Sequence, residues 1–187
     1  MNMFRTSDRI ELADGYHLTV IDEPDAPSLV KHLNEPEFSH HTLSIPTPYT
    51  AESASWFINH VMTWEKENGR QRDWAIRSAT GEMIGAIGVL YDYGISAHKS
   101  GMGYWLAKPY WNQGLMTICI NKFSAHIFAT TSLVRLEAHV FKYNPASARC
   151  LAKAGFEYEG MLRSSHRKGA EFLDTELWSI LKISSKY

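Results

Sequence analysis

The stretch Gly103–Thr117, GYWLAKPYWNQGLMT, decides the fold. Tyr104–Leu106 are bulky and apolar, as in a β-strand, and a short polar loop, Asn112–Gly114, follows. From Leu115 to Phe128 no Gly or Pro interrupts an apolar segment, which predicts a buried helix. The first amides of such a helix lack partners within it and carry the positive end of its dipole. The pattern therefore predicts an anion site at the loop.

Length and composition indicate one globular domain, residues 1–187. Of the 187 residues, 44% are hydrophobic and 21% charged, which suits a single sizeable core. A formal net charge of −1 gives no indication of a nucleic-acid partner. The sequence shows neither a signal peptide nor a run that could span a bilayer, so no membrane partner is expected. Cys119 and Cys150 lie among apolar neighbours, which is typical of reduced thiols. We therefore expect a cytoplasmic protein, and both a monomer and a homodimer remain open.

The first half of the chain predicts one strand and two helices. Tyr16–Ile21 alternates and is β-branched, as a strand would be, and Pro24–Pro27 begins a helix. The segment Asn34–Tyr49 contains three prolines and is expected to be irregular. Thr50 is a good N-cap for an amphipathic helix that ends at Asn68-Gly69.

The middle of the chain predicts an antiparallel hairpin. Trp74–Ile76 and Met83–Tyr91 are strand-like and are separated by the turn Thr80-Gly81. Gly85 and Gly88 inside the second strand indicate a bulge or a close approach of another backbone.

The remaining elements complete a layered fold. Helix signals at Asn144-Pro145 and Gly155 follow an alternating segment, Leu133–Phe141. We expect the chain to finish with two strands. The order predicts an α/β fold with a mixed central sheet and helices on both faces. The last strands and their connection are Phe156–Gly160, Phe172–Leu181 and Arg167-Lys168-Gly169.

The opening stretch resembles the acyl-CoA-binding segment of the GNAT N-acetyltransferases, in particular the RimJ/RimL-like branch. That segment is a strand ending in Trp-Leu, then Pro-x-Trp and a short glycine loop. The general pattern is Gln/Arg-x-x-Gly-x-Gly/Ala; here Gly114 matches its middle glycine, and Trp111 and Met116 occupy the first and last positions. Gln113 stands where a Lys or Arg is frequent. The resemblance implies the GNAT fold over Tyr16–Leu181 and acetyl-CoA as cosubstrate. The residues it assigns to acetyl-CoA are Leu106, Asn112, Gln113, Gly114, Leu115, Met116, Thr117, Asn144 and Ser147.

Two later segments carry the same resemblance: NPASARCLAKAGFEYEG, which begins at Asn144, and the tail GFEYEGMLRSSHRKGAEFLDTELWSIL. In RimJ/RimL-like enzymes the Asn contacts the pantetheine arm and the Ser lies near the thioester sulfur, where it can protonate the thiolate. From the residues alone, Asn before Pro is also what helix capping selects. Capping alone and capping with a cofactor contact stay open for Asn144. A capping box would prefer Glu or Gln at Ser147, so capping does not explain that serine.

No residue is unmistakable as the general base. Glu137 and His139 share one face of the predicted strand, and either could act directly or through water. The alternatives are a salt bridge between Glu137 and Arg135 and a purely structural histidine. The histidines and cysteines show no ligand spacing, so no metal is expected. A basic cluster remains, which either contacts an acidic acceptor or is a solvated turn: Arg163, His166, Arg167 and Lys168.

The resemblance implies direct transfer of an acetyl group to an amine, with Ser147 and Glu137 as catalytic residues and an amide near Leu106 polarising the carbonyl. The acceptor is a protein N-terminal amine, as in the ribosomal-protein enzymes, or a small amine such as a polyamine or amino sugar. A non-catalytic CoA-binding module is the alternative from another class. At pH 7, deprotonating a lysine amine costs roughly 4–5 kcal/mol and an α-amine only about 1–1.5 kcal/mol. An α-amine therefore needs a strong base less.

Overall fold

The computed structural model describes residues 9–43, 45–92 and 94–182. Within these ranges the chain forms five α-helices and eight strands. The helices are α1 Ala26–Leu33, α2 Pro36–His41, α3 Ala51–Asn68, α4 Leu115–Thr130 and α5 Pro145–Lys153. The strands are β1 Ile10–Glu11, β2 His17–Thr19, β3 Asp73–Arg77, β4 Met83–Tyr91, β5 Lys99–Leu106, β6 Arg135–Phe141, β7 Glu157–Lys168 and β8 Glu171–Leu181.

The strands form one sheet in the order β1-β2-β3-β4-β5-β6-β8-β7. The β5–β6 pair is parallel, whereas β1–β2, β2–β3, β3–β4, β6–β8 and β7–β8 are antiparallel. This arrangement confirms the predicted α/β class with a mixed sheet. By contact clustering the chain divides into two compact units. The first unit holds the described residues up to Gly88 together with Tyr104–Leu115, and the second holds Val89–Gly103 and the described residues from Met116 onward.

The first unit is built on α1 and α3 packed against β3 and β4. Its core cluster contains apolar side chains from both helices and from the sheet. Thr50 begins α3 by accepting a hydrogen bond from the Ser53 amide at 3.2 Å, and Gly69 ends it with a φ of 65°. Members of the cluster are Leu29, Leu33, Ala54, Ile58, Val61, Ala75, Met83 and Ala86.

Glycines allow close backbone approach inside the first unit, as predicted. A Cβ built on Gly85 would clash with the Trp105 carbonyl oxygen, and one on Gly88 would clash with the Asp73 carboxylate. Only glycine fits at these two points of β4.

The second unit buries one side of α4 and one side of β6. Phe123 is fully buried on α4, and Leu136 is fully buried on β6. The alternation along β6 leaves Arg135, Glu137 and His139 on the opposite side. This polar side of the sheet is where ionisable residues collect. The remaining buried residues of the two elements are Leu115, Met116, Cys119, Ile120, Ser124, Ile127, Ala138, Val140 and Phe141.

Two expectations about the first half are wrong. The segment Asn34–Tyr49 is not wholly irregular, because Pro36 occupies the first turn of α2, where its fixed φ favours a helix. A short strand, β1, also precedes the predicted first strand and pairs with β2. Two residues carry too little pattern to identify a strand.

The terminal hairpin is longer than predicted. β7 extends through Lys168, so Arg167 and Lys168 belong to a strand rather than to a connection. Its register shifts between Tyr158 and Gly160 and again between Leu162 and His166. These irregularities break the alternation on which a strand prediction depends. The basic cluster therefore lies along an edge strand and not in a turn.

Candidate active site

The loop after β5 is shaped by two left-handed residues. Asn112 has a φ of 60° and Gly114 a φ of 79°. The Trp111 indole nitrogen donates to the Leu106 carbonyl at 2.5 Å, and the Gln113 side-chain Nε2 donates to the Pro109 carbonyl at 2.8 Å. These bonds fold the loop back on the end of β5, directly before α4 begins.

Gly114 is required by its backbone conformation. A Cβ built at this position would have no heavy atom within 4 Å, so the protein itself leaves open space beside it. A φ of 79° is nevertheless costly for any residue with a side chain. The glycine thus fixes the path of the loop and leaves room next to it.

At the start of α4, Leu115 and Met116 present their backbone amides to the loop, because their side chains are buried. Their side chains are 5% and 8% exposed, respectively. Thr117, the third helical residue, is partly exposed. The methionine at the family's small-residue position therefore has its side chain buried.

Aromatic side chains of the first unit support the loop. Phe38 on α2 is 4% exposed, and its ring lies 5.7 Å from the Trp105 ring and 6.1 Å from the Trp111 ring, both edge-on. Lys108 in the loop pairs with Glu37 on the same helix. Phe38 and Glu37 were not predicted from the sequence because α2 was not predicted; Pro36 ahead of the apolar Phe38 is the signal that indicates this helix.

In the second unit, Asn144 caps α5. Its side-chain Oδ1 accepts a hydrogen bond from the Ser147 amide at 3.2 Å. Both residues are partly buried at the start of the helix, shortly after β6 ends. The predicted cap is confirmed. It engages Asn144 Oδ1 as an acceptor, while the side-chain Nδ2 is a separate donor.

Glu137 is held by two cations. Its carboxylate lies 2.7 Å from Arg135 Nε and 3.1 Å from Lys99 Nζ. Burial raises the pKa of Glu137, but the hydrogen bonds from Arg135 and Lys99 outweigh it, and the net pKa lies below the ordinary value. The predicted Arg135–Glu137 salt bridge is present.

Arg135 also binds a second carboxylate. Its Nη2 lies 2.6 Å from Glu159 Oε2, and Ser179 Oγ donates to Glu159 Oε1 at 2.6 Å. The hydrogen bond from Arg135 is the main cause that lowers the pKa of Glu159 to about 2. Glu137 and Glu159 are therefore both ionised and paired at neutral pH.

The chain matches one family model over residues 17–157, described as an acetyltransferase (GNAT) domain. The protein belongs to the GNAT acetyltransferases. Over 134 residues it is 34% identical to an uncharacterized N-acetyltransferase, YoaA, of Bacillus subtilis (strain 168), covering 70% of this chain and 75% of the relative. N-acetyltransferase activity is the function that these matches support.

Solved structures share the GNAT fold. The ribosomal-protein-S5-alanine acetyltransferase from Vibrio fischeri aligns with a TM-score of 0.82 at 20% identity, covering 96% of this chain and 99% of that one. RimJ of Mycobacterium smegmatis in complex with CoA-disulfide aligns with a TM-score of 0.77 at 21% identity, covering 94% and 86%. The RimJ/RimL-like resemblance is confirmed at the level of fold.

The parallel β5–β6 ladder of this GNAT domain is short. It pairs Lys99, Ser100 and Gly101 with Arg135, Leu136 and Glu137. Both strands continue past the last pair, β5 to Leu106 and β6 to Phe141. His139 is thus the first residue on the polar side of β6 beyond the end of the ladder.

No group of three or more His, Cys, Asp or Glu side chains in residues 9–43, 45–92 and 94–182 is placed to hold a metal ion. In the same part of the chain, no helix combines the length and apolarity needed to cross a membrane.

Proposed function

We propose that the protein transfers the acetyl group of acetyl-CoA to the α-amine at a protein N terminus. The loop with left-handed Asn112 and Gly114, followed at once by the first amides of α4, is the observation that carries this proposal. Support for the cosubstrate comes from RimJ, whose structure contains CoA-disulfide. Support for the acceptor comes from the Vibrio fischeri structure, an enzyme named for an alanine of ribosomal protein S5.

The residues of the loop fit the coenzyme. Open space lies beside Gly114, and the side chains of Leu115 and Met116 are buried, so the amides at the start of α4 carry the anion-binding role. When bound, acetyl-CoA supplies a thioester as the acyl donor. We assign the pyrophosphate to the amides of Gly114–Thr117 with Asn112 and Gln113 beside them. The pantetheine arm is assigned to the Asn144 amide nitrogen, and the thioester carbonyl to an amide near Leu106.

Ser147 is proposed to hold the proton that the departing thiolate requires. Its backbone amide is fixed by the Asn144 cap at 3.2 Å, which fixes the residue at the first turn of α5. A hydroxyl donor near a developing thiolate stabilises the charge only as it forms. Ser147 would therefore affect the transfer step more than coenzyme affinity.

The assignment of Glu137 as a direct base stays a prediction and is disfavoured by its ion pairs. A carboxylate whose pKa lies below the ordinary value is a weak proton acceptor at pH 7. We propose that its main role is to hold Lys99 and Arg135 on the polar side of β6.

The charges on this side of the sheet favour an acceptor with a single amine. Glu137 and Glu159 are already matched by Lys99 and Arg135. A polyamine would need carboxylates that are not engaged by cations of the protein. An α-amine also costs only about 1–1.5 kcal/mol to deprotonate at pH 7, which suits a site with weak bases.

An acceptor screen tests the function. Purified protein with acetyl-CoA is mixed with peptides that begin with Ala or Ser, and release of CoA thiol is measured. The matched control is the same set of peptides with a blocked N terminus, and polyamines and amino sugars complete the panel. We expect thiol release only with free N termini. Turnover restricted to a small amine would overturn the choice of acceptor, and CoA binding without any turnover would indicate a non-catalytic module.

We predict that Ser147→Ala lowers kcat about 100-fold, the lower range for loss of a proton-transfer group. The coenzyme dissociation constant should change less than about threefold, since the hydroxyl acts only as the thiolate forms. Kinetics and calorimetry measure the two quantities. Ser147→Cys, which keeps a proton donor of similar size, is the matched control and should retain part of the rate. An unchanged kcat in Ser147→Ala would remove this serine from the mechanism.

A further inference from the structure

Two histidines of the second unit are joined by a chain of hydroxyl groups. His139 Nδ1 lies 3.4 Å from Thr175 Oγ1, which lies 2.7 Å from Ser165 Oγ, which in turn lies 3.1 Å from His166 Nδ1. The two imidazole rings are also in edge-on contact, with centroids 5.1 Å apart. Four side chains from three strands thus form one continuous polar path.

The register of the sheet explains why these residues meet. His139 on β6 is opposite Leu177 on β8, so Thr175, two residues away, shares its face. Thr175 is fully buried, and Leu162 of β7 lies opposite it. The irregularity after Leu162 brings Ser165 and His166 to Thr175.

His139 is an exposed residue, and its Nδ1 atom is held by the contact with Thr175. Of its ring nitrogens, Nδ1 contacts Thr175, so Nε2 is the nitrogen that a substrate can reach. His139 lies just past the last β5–β6 pair, where the two strands no longer share a ladder.

The groups around His139 keep its ring neutral. Partial burial is the first cause that lowers its pKa below 6.5, and His166 on β7 adds to it. Glu137 on β6 acts in the opposite direction, and Lys99 on β5 lowers the pKa slightly further. At pH 7 the ring is therefore a neutral proton acceptor.

We propose that His139 is the catalytic residue that accepts the proton of the acceptor amine and that Thr175, Ser165 and His166 relay it away. This inference rests on the proposed N-acetyltransferase function and names the base of that same reaction.

Acetylation removes two protons from the acceptor ammonium: one goes to His139, and the other replaces the proton that Ser147 gives to the thiolate when the carbon–sulfur bond breaks. The ammonium group of the acceptor loses one proton to His139 Nε2, and its nitrogen keeps the electron pair needed to attack the acetyl carbonyl. His139 Nδ1 passes its own proton to Thr175 Oγ1, the threonine passes its proton to Ser165 Oγ, and the serine passes its proton to His166 Nδ1. The ring of His139 ends neutral and His166 ends with the added proton, which solvent removes. Such a relay needs each hydroxyl to accept on one side and donate on the other, as Ser and Thr do.

The first test needs no acceptor. Nuclear magnetic resonance of the ligand-free protein follows the His139 ring, identified by its loss in His139→Gln. We expect the Nδ1-protonated neutral form at pH 7 and a titration midpoint below 6.5 that rises in His166→Gln, because His166 is one of the groups that lower the pKa of His139. A titration midpoint of His139 at or above 6.5 that does not change in His166→Gln would overturn the proposal.

The second test is kinetic and uses the peptide acceptor found in the screen. His139→Gln should lower kcat/KM about 100-fold and abolish the acid limb of its pH profile, while CoA affinity stays the same. Thr175→Val should keep the fold but reduce the rate and shift that limb, as expected of a positioning residue. His98→Gln, a change at an exposed histidine of the same unit, is the matched control and should leave the profile unchanged.

The outcomes separate this inference from the proposed function. If the wild-type protein acetylates no amine, both fail. If it acetylates an N terminus and His139→Gln has a normal rate and a normal pH profile, only the role of His139 is overturned.

Discussion

Replacing Gly114 by valine is expected to weaken CoA binding by more than about 30-fold. An ordinary residue in the left-handed region costs about 1–2 kcal/mol, and a β-branched residue costs more, so the loop moves to another backbone conformation. The amides at the start of α4 then no longer meet one phosphate group. Isothermal titration calorimetry of Gly114→Val with CoA measures the loss.

Gly169→Val is the matched control for this experiment. Gly169 has a φ of 60° and open space around its Cβ position, but it lies in the turn between β7 and β8. The same backbone strain there should lower stability and leave CoA affinity unchanged. Gly114→Asn should bind CoA more tightly than Gly114→Val, because Asn tolerates the left-handed region. Wild-type affinity in a folded Gly114→Val protein would contradict the role assigned to this loop.

Replacing Arg77 by alanine is expected to lower the free energy of unfolding by about 3–5 kcal/mol, the cost of leaving one member of a buried ion pair alone. The Arg77 guanidinium donates to Asp25 Oδ1 at 2.7 Å and to Oδ2 at 2.9 Å, and it also reaches the Val20 carbonyl at 3.0 Å. Asp25 is only 4% exposed. Urea unfolding followed by circular dichroism measures the change.

The double variant Asp25→Asn, Arg77→Met is the control. It removes both charges, so it should cost less than the single Arg77→Ala change despite altering more atoms. Arg163→Ala, at an exposed arginine of β7, should change stability by less than about 0.5 kcal/mol. A loss below about 1 kcal/mol in Arg77→Ala would show that this pair behaves as a surface salt bridge.

Local chemistry made much of the fold predictable. The caps at Thr50 and Asn144 and the stop at Gly69 are chosen by the backbone around them, and all three are found. The close approach at Gly85 was predictable for the same reason, since a glycine inside a strand marks a place without room for a side chain.

The polar side of the second unit was less predictable because its contacts join distant residues. His139 and Thr175 are 36 residues apart in sequence. The hydroxyl path also depends on an irregularity in β7 that the pattern of apolar and polar residues does not indicate. Glu137 illustrates the same limit. Its neighbour Arg135 is visible in the sequence, but Lys99, 38 residues away, reaches it only through the parallel pairing of β5 and β6.

The two register shifts in β7 affect how readily the edge of the sheet can pair with a strand of another molecule. This strand is 12 residues long and forms the outer edge of the sheet, a position that invites a strand from another molecule to add to it. Its register shifts at Gly160 and after Leu162 interrupt the row of backbone hydrogen-bonding groups that an added strand would need. The β7–β8 hairpin can therefore place His166 on the edge strand without promoting aggregation through strand addition.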